Sequence, residues 1–560
     1  MTTRETPWVD GISIGAMLRA TAQRVPDRDA LIFRQQNVRL TYNEFDAKVD
    51  QLARGLMALG IEKGEHVAVW ATNWPEWVLL QFATARIGAV LVTVNPAYRA
   101  FELAYVLKQS DAKALFLIDR FRTSDYFAMV QEAVPELAGS PPGELTSGEY
   151  PRLQHVVAIN APPAAGMWSW DEVLARGEEI SAGQLAAREA MLQPGDPINI
   201  QYTSGTTGFP KGATLTHRNL LMNAFYIGEC QQITEADRIC IPVPFYHCFG
   251  CVLGVLCAAI RGAAMIIPAE HFDAKATLDA IEAERATAIY GVPTMFIAML
   301  DHETFAGRDL TSLRTGIMAG SPCPIEIMQR VVNEMGAREI TIAYGLTEAS
   351  PVITQTRIDD PLELRVKTVG RPIPGAEVKL VDPATGETVG DNQPGELCVR
   401  GHLVMLGYYK MPEATAAAID PDGWLHTGDV AIRLPNGYYR ITGRIKDMVC
   451  RGGENIYPRE IEEFLYTHPA VQDVAVVGVP DPKYVEEVAA WIRLRPGAQV
   501  TEEELRQYCK GQLAHYKVPK YIRFVSEFPQ TVTGKIQKYR IREQMVQELG
   551  LESEARREMA

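Results

Sequence analysis

The sequence predicts an α/β fold: a large multi-subdomain N-terminal domain, with two α/β sheets, helices and a small β-rich subdomain, then a small α+β C-terminal domain. Three observations carry this reading. Amphipathic helical patterns alternate with short apolar runs over residues 40–120, and again from 198 to 345. Residues 366–442 change to short strand patterns broken by Pro-Gly, Asn-Gly and Asp-Gly turns. The remainder mixes strands with helices, and 560 residues exceed what one hydrophobic core organises.

Along the chain, Thr41 with Glu44 three residues later reads as a capping box opening an amphipathic helix over 42–59. Residues 66–70 (HVAVW) read as a strand, 77–87 as a helix and 89–94 (AVLVTV) as a second buried strand. The alternation continues through 103–108 and 114–118, a rhythm that favours a mostly parallel sheet covered by helices. Residues 135–170 are rich in Pro, Gly and Ser and read as a surface excursion. A strand at 198–202, a Gly/Thr loop and a helix from Thr216 follow, and REITIA (338–343) reads as a further strand. Beyond that, strands are expected at 474–479 and 489–494 and helices at 459–466 and 501–513. The domain border is placed near Lys446, giving domains 1–445 and 446–560.

A net charge of −14 and a pI of 5.4 argue against a nucleic-acid or anionic-membrane binder, which needs a basic face. Nine scattered cysteines, an odd number, fit a reduced cytoplasmic chain rather than a disulfide framework. Cys248 and Cys251 form a CxxC pair after His247, but no second ligand pair matches it, and the apolar run VLGVLCAAI follows. Buried structural thiols are the preferred reading. Glu5 and Asp10 stand where a signal peptide is basic and then apolar, and the longest apolar run, 248–260, is too short to span a bilayer.

The sharpest motif is Thr203, Ser204, Gly205, Thr206, Thr207, Gly208, Phe209, Pro210, Lys211 and Gly212, set between a buried strand and a helix. Its glycines let backbone turn tightly against an anion, and four hydroxyls and a lysine supply donors for phosphate oxygens. It is not a Walker loop, because Pro210 precedes the lysine and Gly212 follows it.

This loop resembles the signature of the adenylate-forming superfamily of acyl-CoA synthetases and other AMP-binding enzymes. The resemblance spans nearly the whole chain. VNPAYRAFELAYVLKQS, DPINIQYTSGTTG, RGGENIYPREIE and TGKIQKYRIREQM are most similar to medium-chain fatty acyl-CoA synthetases. It implies an ATP-dependent ligase that forms acyl-CoA, AMP and pyrophosphate through an acyl-adenylate, with ATP, Mg²⁺ and coenzyme A as cofactors or co-substrates. The chemistry is intelligible: a carboxylate is a poor acyl donor, and joining it to the α-phosphate brings two anions together, so charge must be neutralised where it accumulates.

By the same resemblance, Tyr344 stacks on the adenine, Thr347 touches the α-phosphate and Glu348 holds magnesium, with Gly345 among the nucleotide-binding residues. Gly320 and Ser321 are counted with the nucleotide-contacting residues. Asp429 grips the ribose with Arg444 as its partner, and Lys446 is the hinge of a mobile C-terminal domain. One face of that domain carries Lys535, which reaches the α-phosphate and the attacking carboxylate. The other carries Arg451, Gly452 and Gly453, which line the thiol tunnel, while basic residues over 535–542 meet coenzyme phosphates or simply solvent. The family's Pro-Lys-Thr is Pro529-Gln530-Thr531 here, a departure that spares the catalytic lysine.

Amino-acid-activating relatives hold the substrate ammonium with an aspartate where this chain has His247. An unpaired buried ammonium is costly, so an acid without an α-amino group is expected, with His247 as a gate or orienting residue. The acyl pocket is expected among 291–294, 318–321 and the segment after His247, where Gly250, Gly254, Ala319 and Gly320 suggest room for an alkyl chain. The catalytic set is therefore Lys535, Thr203, Glu348 and His247. The partners expected are a carboxylic acid, ATP and coenzyme A, with a homodimer left open.

Overall fold

The computed structural model describes residues 6–203, 210–321, 323–452, 454–531 and 536–552. Among them, two large sheets form an α/β body. In one nine-stranded sheet, Asp29–Phe33, Ala264–Ile267, Arg238–Cys240, Ala288–Gly291, Thr315–Ala319 and Glu339–Gly345 run parallel. Antiparallel Val38–Thr41 closes one edge, and Val352–Gln355 with Arg371–Pro372 closes the other. The second, eight-stranded sheet is parallel from Pro197–Thr203 through Val90–Thr93, His66–Trp70, Ala112–Leu117, His155–Ala158 and Trp168–Ser169.

Local chemistry accounts for the helices between them. Thr41 caps Tyr42–Ala58 with Glu44 reciprocating, and Thr216 caps His217–Cys230 with Asn219, so both helices start where their side chains satisfy otherwise orphaned backbone donors. Helix Pro75–Ile87 is buried almost all round, and its fully buried Arg86 is neutralised by Asp46, Asp50 and Glu189. That cluster pins three helices together; removing one partner would strand a buried charge at about 3–5 kcal/mol.

A four-stranded antiparallel sheet follows, in the order Ala376–Val381, Pro394–Gly401, Leu425–Arg433 and Tyr439–Arg444. A further sheet, formed wholly after Lys446, centres on the long hairpin Val471–Asp481 and Val485–Leu494. Tyr521–Phe524 pairs with the latter strand in parallel.

Three local expectations need correction. The Gly/Thr loop does not lead straight into a helix: Lys211–Thr216 is a strand antiparallel to Pro197–Thr203, with Thr203 opposite Lys211. Its buried Gly212, Ala213, Leu215 and Thr216 make it a covered sheet strand. Within the supposed surface excursion, His155–Ala158 is fully buried and belongs to the second sheet. The helix expected over 501–513 stops at Cys509, where Lys510 turns extended and Gly511 adopts a φ of +79°. No helix among the described residues is long and apolar enough to cross a membrane.

Candidate active site

The carboxyl ends of both large sheets meet, the position where open α/β sheets bind ligands. From the first sheet come Gly291, Ala319 and the segment after Tyr344; from the second come Thr203 and its partner Lys211. The segment 403–409 stitches the two together. Met405 N donates to Glu348 O at 2.9 Å, Leu406 N to Thr214 O at 2.9 Å and Tyr409 N to Gly212 O at 2.8 Å. Tyr408 then donates its hydroxyl to Glu348 Oε1 at 2.8 Å, while Lys211 Nζ lies 5.0 Å from the centre of the Tyr408 ring. Lys211 and Glu348, far apart in sequence, thus face the same tyrosine. Burial first, and the Glu348 carboxylate second, push the Tyr408 hydroxyl far above its ordinary range, so it remains a donor.

The Glu348 loop is braced from beneath. Asn223 Nδ2 donates to Ala349 O at 3.3 Å and Val352 O at 2.8 Å, and Val352 N returns a bond to Asn223 Oδ1 at 3.1 Å. Ser350 Oγ donates to Leu403 O at 2.6 Å. Gly345 has a steric reason: a Cβ there would lie 1.8 Å from Pro351 O.

A few ångströms along, Tyr344 donates to Asp429 Oδ2 at 2.8 Å and Arg444 Nε donates to Asp429 Oδ1 at 2.8 Å. Asp429 stands opposite Arg444 in the antiparallel ladder, which explains their pairing from backbone register alone. Asp429 owes its projection to a bulge. Glu396 pairs with Val430 and Cys398 with His426, so Thr427, Gly428 and Asp429 are extruded against a single residue, Leu397. Thr427 Oγ1 donates to Leu397 O at 2.7 Å, Gly428 N donates to Glu396 Oε1 at 3.0 Å, and Gly428 takes a φ of +70°. Attraction to Asp429 holds the Arg444 guanidinium above its usual range. Burial and then Asp429 hold the Tyr344 phenol neutral far beyond its usual range. A carboxylate with two fixed donors is primed to accept further hydroxyls without turning.

His247 borders this group through its neighbour: Cys248 Sγ lies 3.7 Å from Thr347 Oγ1. Phe249 N donates to His247 Nδ1 at 3.1 Å, so a neutral imidazole carries its proton on Nε2. Cys248 and Cys251 are both buried free thiols, with burial pushing Cys248 up to about 12. Cys248 caps an eight-residue π-helix, Phe249–Leu256, and Cys251 lies within it. The glycines read as alkyl-chain space serve packing instead. A Cβ on Gly250 would sit 2.3 Å from Pro244 O, and one on Gly254 would sit 2.8 Å from Ile241 Cγ2. Gly320, exposed just past the end of its strand with φ +88°, is close to Val292 as well: a Cβ there would lie 3.1 Å from Val292 Cγ1. Ser321 is half-buried next to it.

Lys446 is exposed in the turn Ile445–Asp447. Arg451 is committed: its Nε and Nη2 bond Glu487 at 2.7 and 2.9 Å, and it lies over the Tyr484 ring. Gly452, at φ +59°, donates to Tyr484 O. Arg451 therefore shapes the turn rather than offering a spare cation. Lys538 and Arg542 are likewise taken by Glu462 and Glu486. Ser204, Gly205, Thr206, Thr207, Gly208, Gly453 and Lys535 lie outside the described residues. Sequence reasoning missed Tyr408, Asn223 and Glu396. Only Asn219, one turn before Asn223 in a capped helix, hinted that this helix serves the site.

The family model described as AMP-binding enzyme matches residues 18–409, and that of the AMP-binding enzyme C-terminal domain matches 460–535. YngI of Bacillus subtilis (strain 168) is 54% identical over 97% of this chain and 98% of its own. The mitochondrial medium-chain acyl-CoA ligase ACSF2 of Bos taurus is 44% identical over 96% of this chain and 88% of its own. The anthranilate CoA ligase AuaEII, solved with anthranoyl-AMP, superposes with a TM-score of 0.85 at 27% identity, covering 96% of this chain and 98% of that one.

Proposed function

This chain belongs to the AMP-binding enzyme family, and from that membership we propose how its residues divide the work of an AMP-forming fatty acid–CoA ligase. The reaction is ATP-dependent formation of an acyl-CoA through an acyl-adenylate. The substrate we assign is a medium-chain fatty acid, by likeness to the bovine ligase. His247, in place of a carboxylate, and the apolar setting of Val292 and Ala319 support an acid without an α-amino group.

The observation that carries the assignment is the continuous group Lys211–Tyr408–Glu348 and Tyr344–Asp429–Arg444 at the meeting of two sheet ends. In this reading Tyr344 and Gly345 flank the adenine, and Asp429 accepts from the ribose hydroxyls while Arg444 and Tyr344 hold its carboxylate still. Lys211, Thr347 and the hydroxyl loop that starts at Thr203 meet the phosphates, with Gly320 and Ser321 at the same edge. The Glu348 carboxylate and Thr347 hydroxyl are hard oxygen donors and fit magnesium, which when bound would neutralise phosphate charge. Lys535 would cancel repulsion between the α-phosphate and the incoming carboxylate, and His247 would orient the acid.

Residues 1–445 and 446–560 are assigned as separate domains hinged at Lys446, with Arg451, Gly452 and Gly453 turned to the thiol in the second half-reaction. The exposed Arg495–Glu326 pair crosses that border at 3.0 Å, and such pairs contribute only about 0–1 kcal/mol, which suits a contact that must open. Nine cysteines with no disulfide between them support a reducing compartment such as the cytoplasm.

Pyrophosphate release with a panel of carboxylic acids, and acyl-CoA formation with coenzyme A, test the reading. The expected result is release dependent on medium-chain fatty acids. Absence of release with every acid, or loading of a carrier protein alone, would overturn it.

A further inference from the structure

Behind the Asp429 bulge lies a second cluster that the adenylation chemistry does not use. We propose that Cys398, His426 and Glu396 form a binding site for a borderline-soft divalent cation of the zinc type, separate from the magnesium position at Glu348. Their ligand atoms all lie within 4.8 Å of one another. His426 Nδ1 is 2.8 Å from Glu396 Oε2 and 3.4 Å from Cys398 Sγ. A tetrahedral ion spaces such ligands about 3.3–3.6 Å apart, so the imidazole–sulfur spacing already fits and the imidazole and carboxylate part by about 0.5 Å to admit it.

The scaffold is rigid and the alignment follows from it. Glu396 and Cys398 are two apart on one strand, so they share a face, and His426 stands directly opposite Cys398 in the ladder. The second ring nitrogen supplies an independent sign. His426 Nε2 lies 3.7 Å from Asp420 Oδ2, beyond hydrogen-bond reach in the ion-free chain; an ion on Nδ1 would move the ring proton from Nδ1, where it faces Glu396 Oε2 at 2.8 Å, to Nε2 beside that second carboxylate. That carboxylate–imidazole pairing behind the ligand nitrogen is the usual outer support of metal-bound histidines.

The donor set selects the ion. Thiolate, imidazole and one carboxylate favour zinc or cobalt over magnesium, and three protein ligands leave a fourth position for water. Binding replaces the thiol proton, which passes to solvent, by a sulfur–metal bond. Only Oε2 of Glu396 is needed, so Oε1 keeps its bond from Gly428 N and the bulge that presents Asp429 stays in place.

The test is cobalt titration of the full, tag-free, chelator-treated chain, read in the near-ultraviolet thiolate-to-cobalt band. A band saturating at one equivalent, displaced by zinc but not by excess magnesium, is expected. Cys398→Ser removes it, whereas Cys450→Ser, at the exposed cysteine, leaves it unchanged. His426→Asn, at a partly exposed position, removes it as well and decides the matter if Cys398→Ser does not fold. Asp420→Asn weakens cobalt binding roughly 10- to 100-fold. No sulfur band in the unaltered chain, or a full band that survives Cys398→Ser or His426→Asn, overturns the proposal.

Discussion

Tyr408 donates its hydroxyl to Glu348 Oε1 at 2.8 Å across the seam between the two large sheets, and the same ring faces Lys211 Nζ. One tyrosine thereby registers the strand Lys211–Thr216 against the loop that carries the acidic group. Glu348→Gln preserves an acceptor for Tyr408 but removes the charge. The magnesium concentration for half-maximal activity should rise at least about 10-fold, the lower end of what losing even an outer partner of a metal costs. An unchanged magnesium titration would remove Glu348 from that role.

Tyr344→Phe keeps the ring and deletes one donor to the buried Asp429 carboxylate. A hydrogen bond to a charged group is worth about 1.5–3 kcal/mol, so the KM for ATP should rise roughly 10- to 100-fold. The KM for the acid should stay near its original value. Equal changes in both would place Tyr344 outside the nucleotide pocket.

Lys535→Ala should slow adenylation about 100-fold or more, the scale of losing one positioned charge donor. Thioester formation from a supplied acyl-adenylate should be largely spared. Equal loss of both half-reactions would contradict the two-faced domain.

Gly254→Ala forces a Cβ to within 2.8 Å of Ile241, whereas a Cβ on Gly139 meets nothing within 4 Å. Overpacking typically costs about 1–3 kcal/mol, so Gly254→Ala should melt several degrees lower while Gly139→Ala does not. If Gly254→Ala instead shortened the preferred acyl chain at unchanged melting temperature, the glycine would line the substrate pocket after all.

Burial pushes His217 down to about 4, and its Nδ1 accepts from Ile14 N at 3.1 Å, a role that protonation would abolish. Burial pushes His155 down to about 4 as well. Below about pH 6.5 the unfolded chain takes up protons that the folded chain refuses, so stability falls as pH drops until about 4. Each histidine contributes a slope of about 1.4 kcal/mol per pH unit in that window. His217→Asn, whose amide oxygen can replace Nδ1, should show a shallower fall in melting temperature from pH 6.5 to 4. An identical pH dependence would refute the assignment.

What was legible in the sequence was local. The Thr41–Glu44 box marks its helix start to the residue, and HVAVW gives the strand His66–Trp70 without error, because each rests on neighbours in the chain. Lys211–Thr216 escaped because six residues between a glycine loop and a helix cap are too few to show a period. His155–Ala158 escaped because Pro- and Gly-rich flanks dominate its window. The site's carboxylates and Tyr344 were legible as motifs, but their supports were not. Tyr408 and Glu348 are 60 residues apart, and Asn223 lies 126 from Ala349. Nothing in either segment announces the other; only the meeting of two sheets does. The same limit misread Gly250 and Gly254, since an absent side chain looks alike whether it admits a ligand or a neighbour's backbone.

The extruded Thr427–Asp429 has its ladder restored on either side, at Val430 opposite Glu396 and at His426 opposite Cys398. The Asp429 carboxylate therefore rides on a blister with anchored footings, not on a free turn. On its other side the segment is paired as well, because Asp429 stands opposite Arg444, so a change of length inside these three positions would shift that neighbouring ladder. The direction of the Asp429 carboxylate is accordingly set by two neighbouring strands at once, and not by the three extruded residues alone.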